Sequence, residues 1–559
     1  MRGLAGEAWG PRALDPPGVC WRLRLMASTI QILLFLLVVV AVVAVLAARL
    51  KVPPAILLVV AGVVLALFPG LPNVTLAPEF VLLLVLPPII YSSAVAMSWR
   101  EFRFNLRPIF LLAVGCVLFT TLAVAAATHW LLGLPWPAGF LVGAIVSPPD
   151  AVAPLSIARR LGLPRRLIVV LEGEGLANDA TALILYRFAI VAVSVGTFSL
   201  GRAVGTFAAI VVGEIVWGIA VGWFMLRLRR WVRDPSIEIL LSILTPFAAF
   251  LPPEHLGGSG VLATVATGLY FSWNGPRLIR AATRLQGIFF WGFLTYLIEG
   301  MVFLITGLQA RGLIAGIGVF ARKDLVIAAA VISAVVIVSR FVWVYPATYL
   351  PRWLSPALAR RDPAPTWQAT FVLSFTGIRG IVSLAAALAI PVAMANGAPF
   401  PYRGLTIFIT FSVILVTLVG QGLLLPAVIH WLGLARAGRR ERAEARVEEL
   451  GARRLAIQAA MDRLDRAEGE GGLPDGVGSA LRARNLARLE RIEHLTGDPA
   501  PADAFARVGD EIEAMLVDAE RHFINDLHDR GELKNEGRRR IERELDLREA
   551  HLENARADE

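Results

Sequence analysis

Inside the apolar stretch LEGEGLANDATALILYRFAI, residues 171–190, stand Glu172, Glu174, Asn178 and Asp179. A stretch of this composition reads as a membrane helix, where a central charge costs roughly 2.5–3.5 kcal/mol even on an insertion scale. Each acid therefore needs a partner, a cavity or a function. On a helix Glu174 and Asn178 stand one turn apart and Glu172 and Asp179 two turns apart, so each pair shares a face. Asp179 falls nearest the middle. Glu172 falls nearest one end, where snorkelling toward Arg165 or Arg166 is expected. Asp150, Glu214 and Glu299 are the other acids that fall inside apolar runs.

Two further places join charge to a break in the helix. In AIVSPPDAVAP, Pro148 and Pro149 remove two backbone donors and disfavour helix at Ser147, so the helix should open just before Asp150. In SFTGIRGIVSLAAALAIP, Gly377 and Gly380 flank Arg379, a cation placed to neutralise converging carbonyl ends. Broken helices at membrane depth are tolerated where they line a cavity, and their ends offer dipoles and carbonyls to ions. Arg340, in VVIVSRFVWVYP, is too costly to leave unpaired in lipid, and Glu174 is the foremost of its possible partners. Arg187 is expected either to pair or to snorkel.

These residues must be held by membrane helices. The chain of 559 residues is 56% hydrophobic with a mean hydropathy of +0.65. Apolar runs of roughly 20 residues, each able to cross a hydrocarbon core of about 30 Å, recur from Thr29 to Trp431. Thirteen spans are expected, at about 28–48, 54–69, 75–97, 108–128, 138–157, 167–195, 204–226, 236–251, 258–272, 289–309, 325–348, 367–391 and 404–432. With the N-terminus outside, loops on the cytoplasmic side hold 19 Lys and Arg and external loops hold 5. One span more or fewer in the middle would destroy that asymmetry. The spans numbered five and twelve then run in opposite directions, as an inverted repeat of broken helices requires.

From Ala435 onward the chain carries 23 basic and 29 acidic residues, against 31 and 15 before it. The pI near 10.2 thus reflects basic loops beside a membrane, and nucleic acid is not implied. Residues 433–559 are expected to form a cytoplasmic helical tail, and residues 28–432 the transmembrane domain. Residues 1–27 are an N-terminal extension whose four arginines conflict with an external location, so translation is expected to start at Met26. Cys20 and Cys116 have no metal-ligand spacing. No HExxH motif is present, and His129 and His255 lie at span ends without a catalytic constellation, so no enzyme is expected.

The segments LPPIIYSSA from Leu86, GAIVSPPDAVA from Gly143, EGEGLANDATALILYRFA from Glu172 and GGSGVLATVATGL from Gly257 resemble the cation:proton antiporter-1 family of sodium/proton exchangers. FLITGL from Phe303, RFVWVYP from Arg340, GIRGIVSLAAALAIP from Gly377 and VTLVGQGLLLP from Val416 continue the resemblance, in family order over about residues 28–433. The resemblance implies an all-α polytopic fold with inverted repeats and two broken, crossing helices. It implies that Asn178 and Asp179 form the sodium and proton site, that Glu174 and Arg340 are a buried ion pair, and that Asp150 and Arg379 balance the broken helices. Relatives usually carry Thr at the position of Pro149 and Ser at that of Gly175, so coordination here should lean on water, backbone or Asp179. Glu299 stands where relatives often have Asn or Glu, and a structural role is expected for it.

The function implied is exchange of Na+, or of Li+ or K+, for H+ across the plasma membrane by a homodimer, without a cofactor. With Asn beside Asp179 and no Lys inside any span, the family pattern implies electroneutral exchange. A potassium/proton antiporter of the same fold is the alternative, and a cation channel a more distant one.

Overall fold

The computed structural model describes residues 19–68, 77–195, 200–232, 234–312, 322–394, 397–469, 476–496 and 499–557. The proposed extension therefore lies, over residues 1–18, outside the described residues. The chain divides into two compact units, Met1–Arg439 and Arg440–Glu559. The first reaches beyond the expected boundary at 432 because Leu434 and Ala435, which open the next helix, are buried with Leu425 and Ile429.

In the first unit the helices are α1 (Val19–Leu50), α2 (Pro54–Ala66), α3 (Pro78–Ala96), α4 (Trp99–Phe104), α5 (Leu106–Leu132), α6 (Trp136–Val146) and α7 (Val152–Leu161). There follow α8 (Arg165–Val195), α9 (Leu200–Arg229), α10 (Pro235–His255), α11 (Val261–Leu278), α12 (Ala281–Leu308) and α13 (Arg322–Leu354). The unit closes with α14 (Pro356–Arg361), α15 (Trp367–Phe375), α16 (Ile381–Leu388) and α17 (Arg403–Trp431). Among the described residues nine helices are long and apolar enough to cross a membrane, and α2 and α6 are shorter apolar helices. The second unit consists of helices over residues 434–469, 477–496, 499–529 and 535–557, the first of which begins inside the first unit.

Local chemistry sets many of the ends. Asp234 accepts from the backbone N–H groups of Ser236 (2.7 Å) and Ile237 (3.4 Å), capping α10 ahead of Pro235. Gly162, at φ 63°, ends α7 in the left-handed conformation that favours glycine. Within α3 the turn Val81–Val85 widens to π-helical spacing just before Pro87, and Leu86 N–H reaches back to Val81 O.

The span expected at 138–157 consists of two helices, α6 and α7, separated at 147–151, where Pro148 and Pro149 predict the helix to open. The expected span at 367–391 is likewise split into α15 and α16 by residues 376–380. Proline explains the first break, since Ser147 N–H makes the last helical bond, to Gly143 O at 2.9 Å, before Pro148. Packing holds the second. The N–H of Arg379 donates to Thr417 Oγ1 (3.0 Å) in a π-helical turn of α17.

Ion pairs join loops that the charge count assigns to one side of the membrane. Asp362 receives Arg107 (2.8 Å), Arg166 (2.5 Å) and Arg352 (2.8 Å), and Arg165 pairs with Glu101 (2.7 Å). Burial by itself would raise the Asp362 carboxyl, but the hydrogen bonds and charges of Arg166 and Arg352 outweigh it and hold the group below the ordinary carboxylate range. Far along α8, Arg187 donates to Glu254 at the end of α10.

Candidate functional site

The two breaks meet. Asp150 N–H donates to Ile378 O at 2.7 Å, linking one to the other directly. Arg379 spreads its guanidinium over the carbonyl ends around them: Nε to Val146 O (2.9 Å), Nη2 to Ser147 O (3.2 Å) and Nη1 to Gly377 O. It therefore sits at the C-terminal ends of α6 and α15, where helix dipoles place negative potential. Asp150 has the complementary position. Its Oδ1 accepts from Val152 N–H at 2.9 Å, at the start of α7. Its Oδ2 lies against Gly380 at the start of α16, so close that a Cβ on Gly380 would fall 1.9 Å from it.

Helix α8 lays its polar face against this junction. Asn178 donates Nδ2 to Pro149 O at 2.6 Å, which uses the carbonyl freed by the break and fixes the orientation of the amide. That leaves Asn178 Oδ1 buried without a hydrogen-bond partner, as is Asp150 Oδ2. Gly175 faces Ala151, and a Cβ on it would lie 2.5 Å from the Ala151 Cβ, so α8 approaches the break only because position 175 has no side chain. Pro149 contributes its carbonyl and Gly175 contributes closeness; neither supplies a side-chain oxygen.

A cavity of about 280 Å³ opens beside these groups. Asp150, Gly175, Asp179 and Glu299 line it together with Glu172 and Arg159, and Val85, Leu86 and Ile90 of α3 form part of its apolar wall. Asp179 accepts no hydrogen bond among the described residues and stands open to this space. Orphaned carboxylate and amide oxygens suit a hard cation, which takes oxygen ligands and water, and a carboxylate can hold a proton instead.

Glu174, Arg340, Glu172 and Glu214 are matched within the protein. Arg340 of α13 grips Glu174 with Nη1 to Oε1 at 2.5 Å and Nη2 to Oε2 at 2.7 Å, and gives Nε to Leu373 O at 3.1 Å. Its two partners lie on α8 and α15, so the pair joins three helices around the break. Glu172 does not turn to Arg165 or Arg166, as expected. Those are taken by Glu101 and Asp362, and Glu172 accepts from Arg159 of α7 at 3.0 Å. Glu214 is spent on structure, accepting from the N–H groups of Ser259 (2.5 Å), Gly260 (3.1 Å) and Leu262 (3.1 Å) at the start of α11. Its partners could have been suspected from the GGSG run that precedes that helix. Glu299, on α12, for which a structural role was expected, lines the same cavity as Asp179.

A profile of the transmembrane sodium/hydrogen exchanger family matches residues 34–431. A protein of Mycobacterium tuberculosis named an uncharacterized Na(+)/H(+) exchanger is 36% identical over 514 residues, covering 91% of this chain and 93% of the relative. A Bacillus pumilus protein named a sodium, potassium, lithium and rubidium/H(+) antiporter is 34% identical over 387 residues, or 67% of this chain and 57% of the relative. The solved structure of the sodium proton antiporter MjNhaP1 from Methanocaldococcus jannaschii is similar in fold, with a TM-score of 0.56 at 19% identity, covering 73% of this chain and 99% of that one.

Proposed function

The chain belongs to the sodium/hydrogen exchanger family, a family of multi-pass membrane antiporters, and on that premise we propose that it exchanges Na+ for H+ at Asp179. The observation that carries this reading is the unpartnered carboxylate of Asp179 at a cavity that Asp150 also lines, with the partnerless buried oxygen of Asn178 on the adjoining residue. An ionised Asp179 with nothing bound is a bare charge in a membrane and costly to move. With a cation or a proton it is neutral and can relocate. Competition for one carboxylate then couples the two fluxes, and alternating access carries whichever is bound.

Charge counting supports an electroneutral cycle. Glu174 is matched by Arg340 and Glu172 by Arg159, while Asp150 and Arg379 each face helix ends of opposite sign. One cation therefore replaces one proton at Asp179. In this reading the protein is a plasma-membrane homodimer with its N-terminus outside and its tail cytoplasmic, and needs no cofactor.

Potassium or lithium in place of sodium is the second reading. It is favoured by the breadth of ions in the name of the Bacillus pumilus relative and by the absence of side-chain oxygens at Pro149 and Gly175. The test is proton flux in proteoliposomes with voltage clamped, driven in turn by sodium, lithium and potassium. Saturable, voltage-independent proton movement supports exchange. Cation current without proton countertransport would make the protein a channel.

A further inference from the structure

Among the acids that line the cavity, two have no hydrogen-bond partner among the described residues: Asp179 on α8 and Glu299 on α12. Glu172 is held by Arg159, and Asp150 spends one oxygen on Val152 N–H. A carboxylate on a membrane cavity without a protein partner must be met by water, a proton or a cation. The volume is many times the roughly 10–15 Å³ that one water requires, so a partly hydrated cation fits between the two walls.

The two carboxylates stand on differently anchored elements. Helix α12 is locked backbone to backbone against α2: a Cβ on Gly62 would lie 2.2 Å from Leu304 O, and one on Gly307 2.2 Å from Val59 O. Asp179 instead belongs to the group tied through Asn178, Pro149, Asp150 and Ile378 to the helix breaks. The cavity that both groups share extends to Arg159 and Glu172, at the ends of α7 and α8 that the charge count assigns to the cytoplasm.

We propose that Glu299 is a second cation-binding carboxylate, which holds a partly hydrated Na+ in the vestibule before Asp179 takes it, and acts only from the Glu172 side. This rests on exchange at Asp179. Its charged surroundings on the neighbouring helices are Asp150, Glu172 and Asp179, with Arg159 as the cation at the mouth. Glu172 is engaged with that arginine, which leaves Glu299 to attract sodium past it.

The experiment compares the wild type, Glu299→Gln, Glu299→Asp and Asp179→Asn in everted and right-side-out membrane vesicles at one pH, measuring sodium-dependent proton flux. For Glu299→Gln, half-saturating sodium should rise about tenfold at the cytoplasmic face, equivalent to about 1.4 kcal/mol. It should not change at the outer face, and Glu299→Asp should recover part of the loss. The membrane content and detergent melting temperature of each variant show that it is folded and inserted. An equal change at both faces, or none at either, overturns the proposal. If Asp179→Asn still exchanges, the underlying reading fails instead, whatever Glu299 does.

Discussion

Gly380 and Asp150 touch across the two helix breaks, and a Cβ on the glycine would lie 1.9 Å from Asp150 Oδ2 and 2.5 Å from its Cγ. The glycine, at φ −140° and ψ −147°, is not in the left-handed conformation. It is required by the neighbouring carboxylate. Gly380→Ala must push Asp150 away from the start of α16, and a displacement of about 1 Å at a working site can cost on the order of a hundredfold in rate. Exchange by Gly380→Ala vesicles should fall at least about tenfold, with membrane insertion unchanged. Wild-type flux would show that the Asp150 position is not critical.

Arg340 and Glu174 are 1% and 2% exposed, so removing either leaves a buried charge without its partner. Glu174→Ala should destabilise the protein by about 3–5 kcal/mol, seen as a large drop in detergent melting temperature. Replacing both residues with apolar ones of similar volume should restore part of it. Unchanged melting of Glu174→Ala would remove the pair from the account of stability.

At Gly175 the sequence and the packing make opposite claims. A serine there would supply the oxygen that the family pattern leads one to expect, but its Cβ would lie 2.5 Å from that of Ala151. Gly175→Ser alone should therefore lose about 1–3 kcal/mol through overpacking. Gly175→Ser with Ala151→Gly should regain it. Melting of the two variants decides whether space or chemistry keeps glycine at this position.

Asp362 makes its cluster with Arg107, Arg166 and Arg352 sensitive to acid. Its carboxyl is held below its ordinary pKa in the folded protein, so its stabilisation is present above the unfolded value and is lost as pH falls through the folded one. Detergent melting followed downward from neutral pH should fall more steeply in the wild type than in Asp362→Asn, which lacks that group. Parallel curves would show that the three arginines do not depend on its charge.

The membrane helices and the breaks were legible because they follow from local chemistry: apolar runs, Pro148 and Pro149, and glycines around Arg379. The acids of residues 171–190 were equally visible, as charges that a membrane does not tolerate without cause. What the sequence left open were relationships across long separations. The acceptors of Arg379, Val146 and Ser147, are 233 and 232 residues away. Glu172 chose Arg159 over nearer arginines because those were engaged by Glu101 and Asp362, a competition that no local pattern reveals. Glu299 was expected to be structural from its place in the family pattern, where relatives often have Asn or Glu. Only the packing of α12 beside α3 and α16 places it on the cavity wall.

The most direct test of the central claim is sodium-driven proton movement in proteoliposomes containing Asp179→Asn. The substitution keeps the shape of the side chain and removes the charge for which sodium and proton compete. The variant should melt near the wild-type temperature and show no exchange with sodium, lithium or potassium. Full exchange by a correctly inserted Asp179→Asn protein would contradict the assignment of Asp179 as the site where the two ions compete.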